Sequence, residues 1–485
     1  MHLQSLLPDD RRDKVQAFAA FALFALLLLA VQHKHAIAFF PHDAGTYWAL
    51  ANDPSSLPAH AMTRGYFFPT LLGSFVALSS AVGITQLDAF RLFSSLVYSA
   101  VLTVLVPNAY RLLAGGQANM VRRLWPAILL ALAFPGLFLF PLSDLPALAL
   151  MWCAVDLLLR SAAPHQPNSR VLYALLAGIA AGAAYNTRTI YLFSILPMTV
   201  ALPLLQSRLR WARLASFVAG AVLVSLPQLA VNLKLHDIAS VDPTAAYRDE
   251  SLFLKQLLWG MRVQKYETYL VDGMSGLRYR DPAGEQLLAR VSKDAPINSV
   301  WAYLQAALRN PLPFLGLYGR HVVNGLDVRD GRQYLTRPPD SRMFPSFACI
   351  SAVLVALLAI LTGRRANRPD GGGGGAAAAP RWLCSAALIA PALLAVPGAI
   401  ETRFFLPLLA FLYTAAAGSW STAAIAAHLK TRFFATAALA LVAYALFFAV
   451  SQSTLAQIGA AGATRASARP VLPSGPFLLT EEVLA

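Results

Sequence analysis

Long apolar runs alternate with short basic clusters along most of this chain. The apolar stretches lie near 17–38, 91–113, 125–142, 145–160, 171–187, 189–206, 214–232, 344–363, 382–399, 404–424 and 433–453. Most approach the roughly 20 residues that a helix needs to cross a bilayer's hydrocarbon core. A further apolar stretch, 66–83 ("YFFPTLLGSFVALSSAVG"), is about long enough but holds Pro69, two glycines and several serines. Basic residues collect on the cytoplasmic side of membrane proteins, which arbitrates. If 66–83 lies along the outer surface, the clusters Arg11/Arg12/Lys14, Arg122/Arg123, Arg208/Arg210/Arg213, Arg364/Arg365/Arg368 and Lys430/Arg432 all fall inside. If it crosses, the three middle clusters fall outside. The pattern therefore predicts about eleven transmembrane helices, an inner N-terminus and an outer C-terminus.

That topology divides the chain. Residues 1–232 form an N-terminal transmembrane module with a first outer loop at 39–90 carrying interfacial helices. Residues 233–343 form a mainly helical outer segment, 344–455 the C-terminal transmembrane helices, and 456–485 an outer tail. The outer segment holds 12 of the 24 acidic residues together with several aromatics, which marks a folded, water-facing unit and not a linker. The stretch "RPDGGGGGAAAAP" at 368–380 reads as a flexible inner connector. Residues 17–31 alone could be a signal-peptide core, but the many later runs favour an uncleaved first helix.

Composition agrees. The 485 residues are 57% hydrophobic and only 13% charged, and the mean hydropathy is +0.55; a soluble domain has about 25% charged residues. The basic residues behind the net charge of +15 sit mostly in short clusters between apolar runs, which argues for membrane orientation and not for nucleic acid. Cys153, Cys349 and Cys384 lie in or beside apolar stretches without disulfide or zinc spacing.

The remaining ionisable residues gather on the predicted outer face. His42 and Asp43 follow the first span in "FFPHDAGTYW", with Asp53, His60 and Arg64 further along that loop. Asp144 stands in "FPLSDLPAL", Arg188 in "AYNTRTIY", Asn232 and Lys234 in "LPQLAVNLKLH", and Glu401 and Arg403 in "GAIETRFFLP". Charges at span ends are costly unless hydrated or paired, so their convergence predicts a polar chamber. Arginine forks match phosphate oxygens, which suits a lipid-borne phosphate. Structural roles compete: Asp43 and Asp144 can cap helices, Arg64 can snorkel, and Arg403 can pair with Glu401. No acidic cluster has metal-ligand spacing.

"PHDAGTYWALA", "TRGYFFPTLLGSFVALSSAVG" followed by "AFRLFSSLVYSAVL", "AFPGLFLFPLSDLPALAL", "GIAAGAAYNTRTIYLFSILP" and "ETRFFLPLLAFLY" occur in an order that resembles the GT-C superfamily of membrane glycosyltransferases, in its protein mannosyltransferase and aminoarabinose transferase branch. The resemblance covers most of the first 210 residues and about 25 near the end. It implies transfer of a sugar from a polyprenyl-phosphate donor to a lipid, glycan or protein acceptor, with inversion, at the outer face of a bacterial inner membrane. Asp43 would be the general base, with Asp144 a second catalytic acid, and Arg64, Arg188 and Arg403 would hold the donor phosphate. His42, Asn232, Glu401, Tyr266 and Glu267 are candidate substrate contacts. No cofactor is required by the sequence, although some members of that superfamily use a divalent metal. Two readings from other classes stand beside it: a lipid-linked saccharide flippase, which should place ionisable groups mid-span, and a relative that binds lipid without catalysis.

Overall fold

The computed structural model describes residues 11–35, 40, 42–53, 65–115, 118–162, 167–204, 209–245, 251–268, 277–294, 296–330, 334, 342–366, 375–418 and 422–457. Each predicted apolar stretch contains helix among the described residues. The N-terminal module contains α1 (Arg11–Lys34), α2 (His42–Asn52), α3 (Phe67–Val82), α4 (Gln86–Ala114), α5 (Met120–Ala133), the single turn α6 (Pro135–Leu139), α7 (Asp144–Ala162), α8 (Pro167–Thr187), α9 (Leu192–Leu204) and α10 (Arg210–His236). The segment 233–343, expected to be outer, follows as α11 (Leu252–Gly260), β1 (Val263–Glu267), β2 (Leu277–Arg280), α12 (Pro282–Asp294), α13 (Val300–Arg309) and α14 (Pro311–Leu326). The C-terminal group is α15 (Met343–Ala366), α16 (Gly375–Ala395), α17 (Leu406–Gly418) and α18 (Thr422–Leu455).

Among the described residues six helices are long and apolar enough to cross a membrane: α1, α4, α7, α10, and the stretches Met343–Leu361 and Lys430–Leu455. Four shorter apolar helices accompany them, at Phe67–Val82, Thr189–Leu204, Ala379–Ala395 and Thr402–Gly418. Length and composition thus support a multi-pass helical membrane protein, with six of the eleven expected spans reaching crossing length. The stretch 125–142 differs from expectation. Helix α5 stops at Ala133 because Pro135 biases the residue before it away from helix, and Phe134 takes φ −127° and ψ 57°.

Proline also shapes α4. A π-helical turn at Val101–Leu105 precedes Pro107, which has no N–H for the carbonyl of Thr103. Arg123 Nη1 donates to that carbonyl at 3.1 Å. The same guanidinium pairs through Nη2 with Asp13 at 2.8 Å, and Arg111 reaches Asp13 at 3.2 Å. The starts of α1 and α5 and the end of α4 therefore meet at one end of the bundle. At the far end of α1, Gln32 Nε2 donates to Ser94 Oγ at 3.0 Å and to the Phe138 carbonyl at 2.8 Å. Helix α7 runs through the centre of the main core, with Met151, Trp152, Val155 and Leu158 fully buried.

Helices α8 and α10 approach through small residues. A Cβ at Gly178 would meet the Phe217 carbonyl, and one at Gly220 the Leu175 carbonyl. Gly178 and Gly182 stand four apart in "GIAAG", the spacing that lets membrane helices pack backbone to backbone.

The segment 233–343 has its own small core of Leu257, Met261, Leu287, Tyr303, Phe314 and Leu317. It also contains an antiparallel two-stranded sheet, β1–β2, pairing Lys265 with Tyr279 and Glu267 with Leu277, which an all-α expectation does not include. The segment 39–90, where one or two interfacial helices are expected, carries α2 and α3 among its described residues. Helix α10 continues past the expected boundary at 232 to His236 and closes on Asp237, whose φ of +56° is left-handed.

Candidate functional site

Of the five residues expected to act on the substrate or hold its phosphate, Asp43, Asp144, Arg188 and Arg403 come together from positions up to 360 apart in the chain. The fifth, Arg64, lies outside the described residues. Asp43 lies in the first turn of α2 and Asp144 in the first turn of α7. Both carboxylates thereby sit at the positive end of a helix dipole, which favours a negative charge. The two arginines occupy breaks between helices. Arg188 has extended backbone between α8 and a 3₁₀ turn at Thr189–Tyr191, and Arg403 lies in the 3₁₀ turn Thr402–Phe405 ahead of α17.

Arg403 is the hub. Its Nη2 contacts Asp43 Oδ2 at 3.1 Å, its Nη1 lies 3.5 Å from Asp144 Oδ2, and its Nε lies 2.7 Å from Glu401 Oε2. Arg188 Nη1 donates to the other oxygen of Asp144. Two guanidiniums thus face three carboxylates in an unbroken chain, Arg188–Asp144–Arg403–Asp43, with Glu401 behind. Aromatic rings wall the group. Arg188 stands 5.4 Å from the Phe404 ring centroid, and Arg403 stands 5.5 Å from that of Tyr334. Asp144, Glu401 and Arg403 are buried, while the side chains of Asp43 and Arg188 keep 32% and 20% exposure. These two form the accessible edge.

Behind the hub, strand β1 grips the segment that carries Arg403. Tyr266 N–H donates to the Ile400 carbonyl at 2.8 Å, Thr268 Oγ1 to Glu401 Oε1 at 3.1 Å, and Thr402 N–H to Glu267 Oε1 at 3.1 Å. The Thr402 hydroxyl also donates to Glu267. Lys265 Nζ completes the layer, 3.2 Å from Glu267 Oε1 and 2.8 Å from Asp330 Oδ1, and donates to the Asp327 carbonyl at 2.7 Å. Burial alone would lower the Lys265 pKa, but Asp330, Glu267 and Asp327 outweigh it and raise it. Burial pushes Glu267 up to about 8, against the opposing pull of Lys265. Burial likewise raises Glu401, with Arg403 opposing.

The other candidates divide. His42 is exposed at φ +50°, its ring 6.4 Å from that of Tyr334. Tyr266 stacks on Trp259 at 4.5 Å and meets Phe404 edge-on at 6.0 Å. Glu267 and Glu401 are fully buried with partners inside the protein. Asn232 is committed to closing the turn after α10, donating to the carbonyls of Ser240 and Asp242 at 2.8 Å each and accepting from Gln228 at 3.0 Å. Arg64 and His60 lie outside the described residues. Among the described residues, no group of His, Cys, Asp and Glu side chains could hold a metal ion.

Tyr334 was not legible as a site residue. It is buried, its φ of +64° is left-handed, and its hydroxyl has no hydrogen-bond partner among the described residues. An aromatic residue in that region is an outlier, of the strained kind that collects at functional sites. Thr268, Lys265 and Asp330 were missed too. Thr402 could have been found, since it stands inside "ETRFF".

No protein-family model matches the chain, and no curated protein matches it. Among solved structures it is similar to the archaeal oligosaccharyltransferase AglB from Archaeoglobus fulgidus, in complex with an inhibitory peptide and a dolichol-phosphate. Identity is 12% and the TM-score 0.42, over 96% of this chain and 57% of that chain. The chain spans little more than half the length of that protein, and a likeness this distant carries no functional weight.

Proposed function

We propose that this protein is a GT-C-type glycosyltransferase that moves a sugar from a polyprenyl-phosphate donor to an acceptor hydroxyl at the outer membrane face. The observation that supports this reading is the meeting of Asp43, Asp144, Arg188 and Arg403, drawn from four stretches whose motifs resemble that superfamily. The basic clusters Arg11/Arg12/Lys14 and Arg122/Arg123 gather at the α1 N-terminal end, where Arg123 pairs with Asp13, whereas Asp43 follows the opposite end of α1. That polarity accords with a periplasm-facing site in a bacterial inner membrane.

The chemistry divides by exposure. In the proposed step the acceptor oxygen attacks the anomeric carbon and the bond to the phosphate oxygen breaks. Asp43 takes the acceptor's proton, and the lipid phosphate departs with the bonding electrons. Arg188, half of whose fork is turned to one carboxylate and whose side chain stays partly exposed, is the phosphate contact. Arg403 touches three acids and is buried, so its role is to position Asp43 and Asp144. A positioned general base contributes about 100- to 10,000-fold, and Asp43→Asn is expected to lose turnover on that scale while still binding donor.

The test is to reconstitute purified protein with labelled polyprenyl-phosphate sugars and extracts of candidate acceptors, comparing wild type with Asp43→Asn. Undiminished transfer by the variant would remove Asp43 from the mechanism. Donor translocation without any transfer by wild type would favour the flippase reading.

A further inference from the structure

Helices α13 and α14 fold back on each other through Tyr303, whose ring meets Phe314 edge-on at 5.5 Å and whose hydroxyl lies 3.0 Å from that of Tyr318. Tyr303, Phe314 and Leu317 are buried in the outer core. The opposite face is apolar as well. Trp301, Leu304, Leu308, Leu312 and Leu315 are between 46% and 78% exposed. Arg309 is the only charged residue from 301 to 319. A helix on a water-facing surface sets polar residues opposite its apolar stripe. A contiguous exposed apolar patch instead marks a partner or a membrane.

Its position in the fold decides between them. His321 Nδ1, in α14, lies 2.6 Å from the Val396 carbonyl just past α16, and the Tyr303 hydroxyl lies 3.4 Å from the Pro397 carbonyl. Asp327, which ends α14, accepts from Ser346 in the first turn of α15 at 3.0 Å. Arg329 donates to Gln452 in the last turn of α18 at 2.7 Å. The pair is therefore seated on the ends of helices, and α15 and α18 contain two of the stretches able to cross a membrane. Phe344 and Phe347 at that end of α15, and Leu393 at the end of α16, are exposed as well. The apolar surface of the pair thus lies level with span ends that themselves present apolar side chains outward.

We infer that the exposed face of α13–α14 rests in the outer leaflet of the lipid bilayer as an in-plane anchor. A helix of this kind buries its apolar side at the boundary of head groups and acyl chains. Trp301 is a residue type enriched at that boundary, and Arg309 can extend its guanidinium to the lipid phosphates. The anchor holds whether or not the protein transfers sugars, since none of its residues belongs to the candidate site.

Nitroxide labels test it. In full-length protein whose three native cysteines are replaced by alanine, Leu308→Cys and Leu312→Cys are labelled after reconstitution into vesicles of phosphatidylethanolamine and phosphatidylglycerol. Ser292→Cys, exposed on α12, is the control. The expected result is severalfold greater collision with oxygen than with a water-soluble nickel chelate at 308 and 312, and the reverse at 292. Nickel collisions at 308 and 312 equal to those at 292 would overturn the anchor by placing this face in water. Exclusion of both reagents, or spin–spin broadening between labels, would overturn it in favour of a second copy of the chain covering the face. If the cysteine-free background does not fold, brominated-lipid quenching of wild type against Trp301→Phe gives the same decision: equal quenching of the two proteins rejects the anchor.

Discussion

Arg403 holds three carboxylates within 3.5 Å. Its removal would leave Glu401, Asp144 and Asp43 facing one another around a single remaining guanidinium. Stripping one partner from a buried ion pair costs about 3–5 kcal/mol, so Arg403→Met is expected to lower the melting temperature in detergent sharply. Lysine keeps the charge but not the fork, and Arg403→Lys should recover only part of that loss. Arg188→Met should behave differently. It leaves Asp144 paired with Arg403, so the fold should survive, while donor KM rises and turnover falls by about 100- to 1,000-fold. A thermal-shift series with donor titration separates the two arginines.

Glu267 gives the stability of the protein a pH dependence. Its pKa is raised to about 8 in the fold, chiefly by burial. A group raised on folding contributes stability that is complete below its unfolded pKa of about 4.3. That contribution is lost as pH climbs through the folded value. The wild-type melting temperature should therefore fall between about pH 5 and pH 8 relative to Glu267→Gln. Lys265 keeps Asp330 and the Asp327 carbonyl in that variant, so the comparison isolates the glutamate. A constant difference across the range would show that Glu267 does not titrate there.

At the scale of the element, hydrophobic runs were readable because a backbone in lipid must satisfy its own hydrogen bonds, which leaves helix as the default. The exceptions have local causes. Pro135 divides the stretch 125–142, and Pro107 coincides with the π-helical turn in α4. The β1–β2 hairpin escaped because β1 buries Gln264, Lys265 and Glu267 together with Val263, so no apolar–polar alternation marks the strand. Close packing of α8 on α10 was written in "GIAAG", but the partner helix was not. Gly178→Val would drive a branched side chain into the Phe217 backbone, and overpacking of this kind costs about 1–3 kcal/mol. Thermal unfolding in detergent should show the loss, while Gly319→Ala, with open space around it, should not.

For the whole molecule, reporter fusions after residues 86, 117 and 300 should report outside, inside and outside. An inside report at 300 would remove both the outer-face site and the leaflet anchor. The motif order and the charges at predicted span ends were enough to nominate Asp43, Asp144, Arg188 and Arg403, together with Arg64, as a group, because an ionisable residue at a span end needs a partner or a cavity. They were not enough to say which acid met which arginine, nor that Arg403 is sheltered while Arg188 stays at the edge.

Apolar run length, together with the siting of basic clusters, determined from sequence alone that this is a helical multi-pass protein with two chemically different ends. Those properties follow from bilayer thickness and backbone hydrogen bonding, which act on each segment separately. Only the tertiary structure decided that β1 clasps the "ETR" turn, that Tyr334 lies beside Arg403, and that α13–α14 turns an apolar face outward at the span ends. Each of these depends on contacts between segments far apart in the chain, and no local period or composition records which distant partner a side chain will meet.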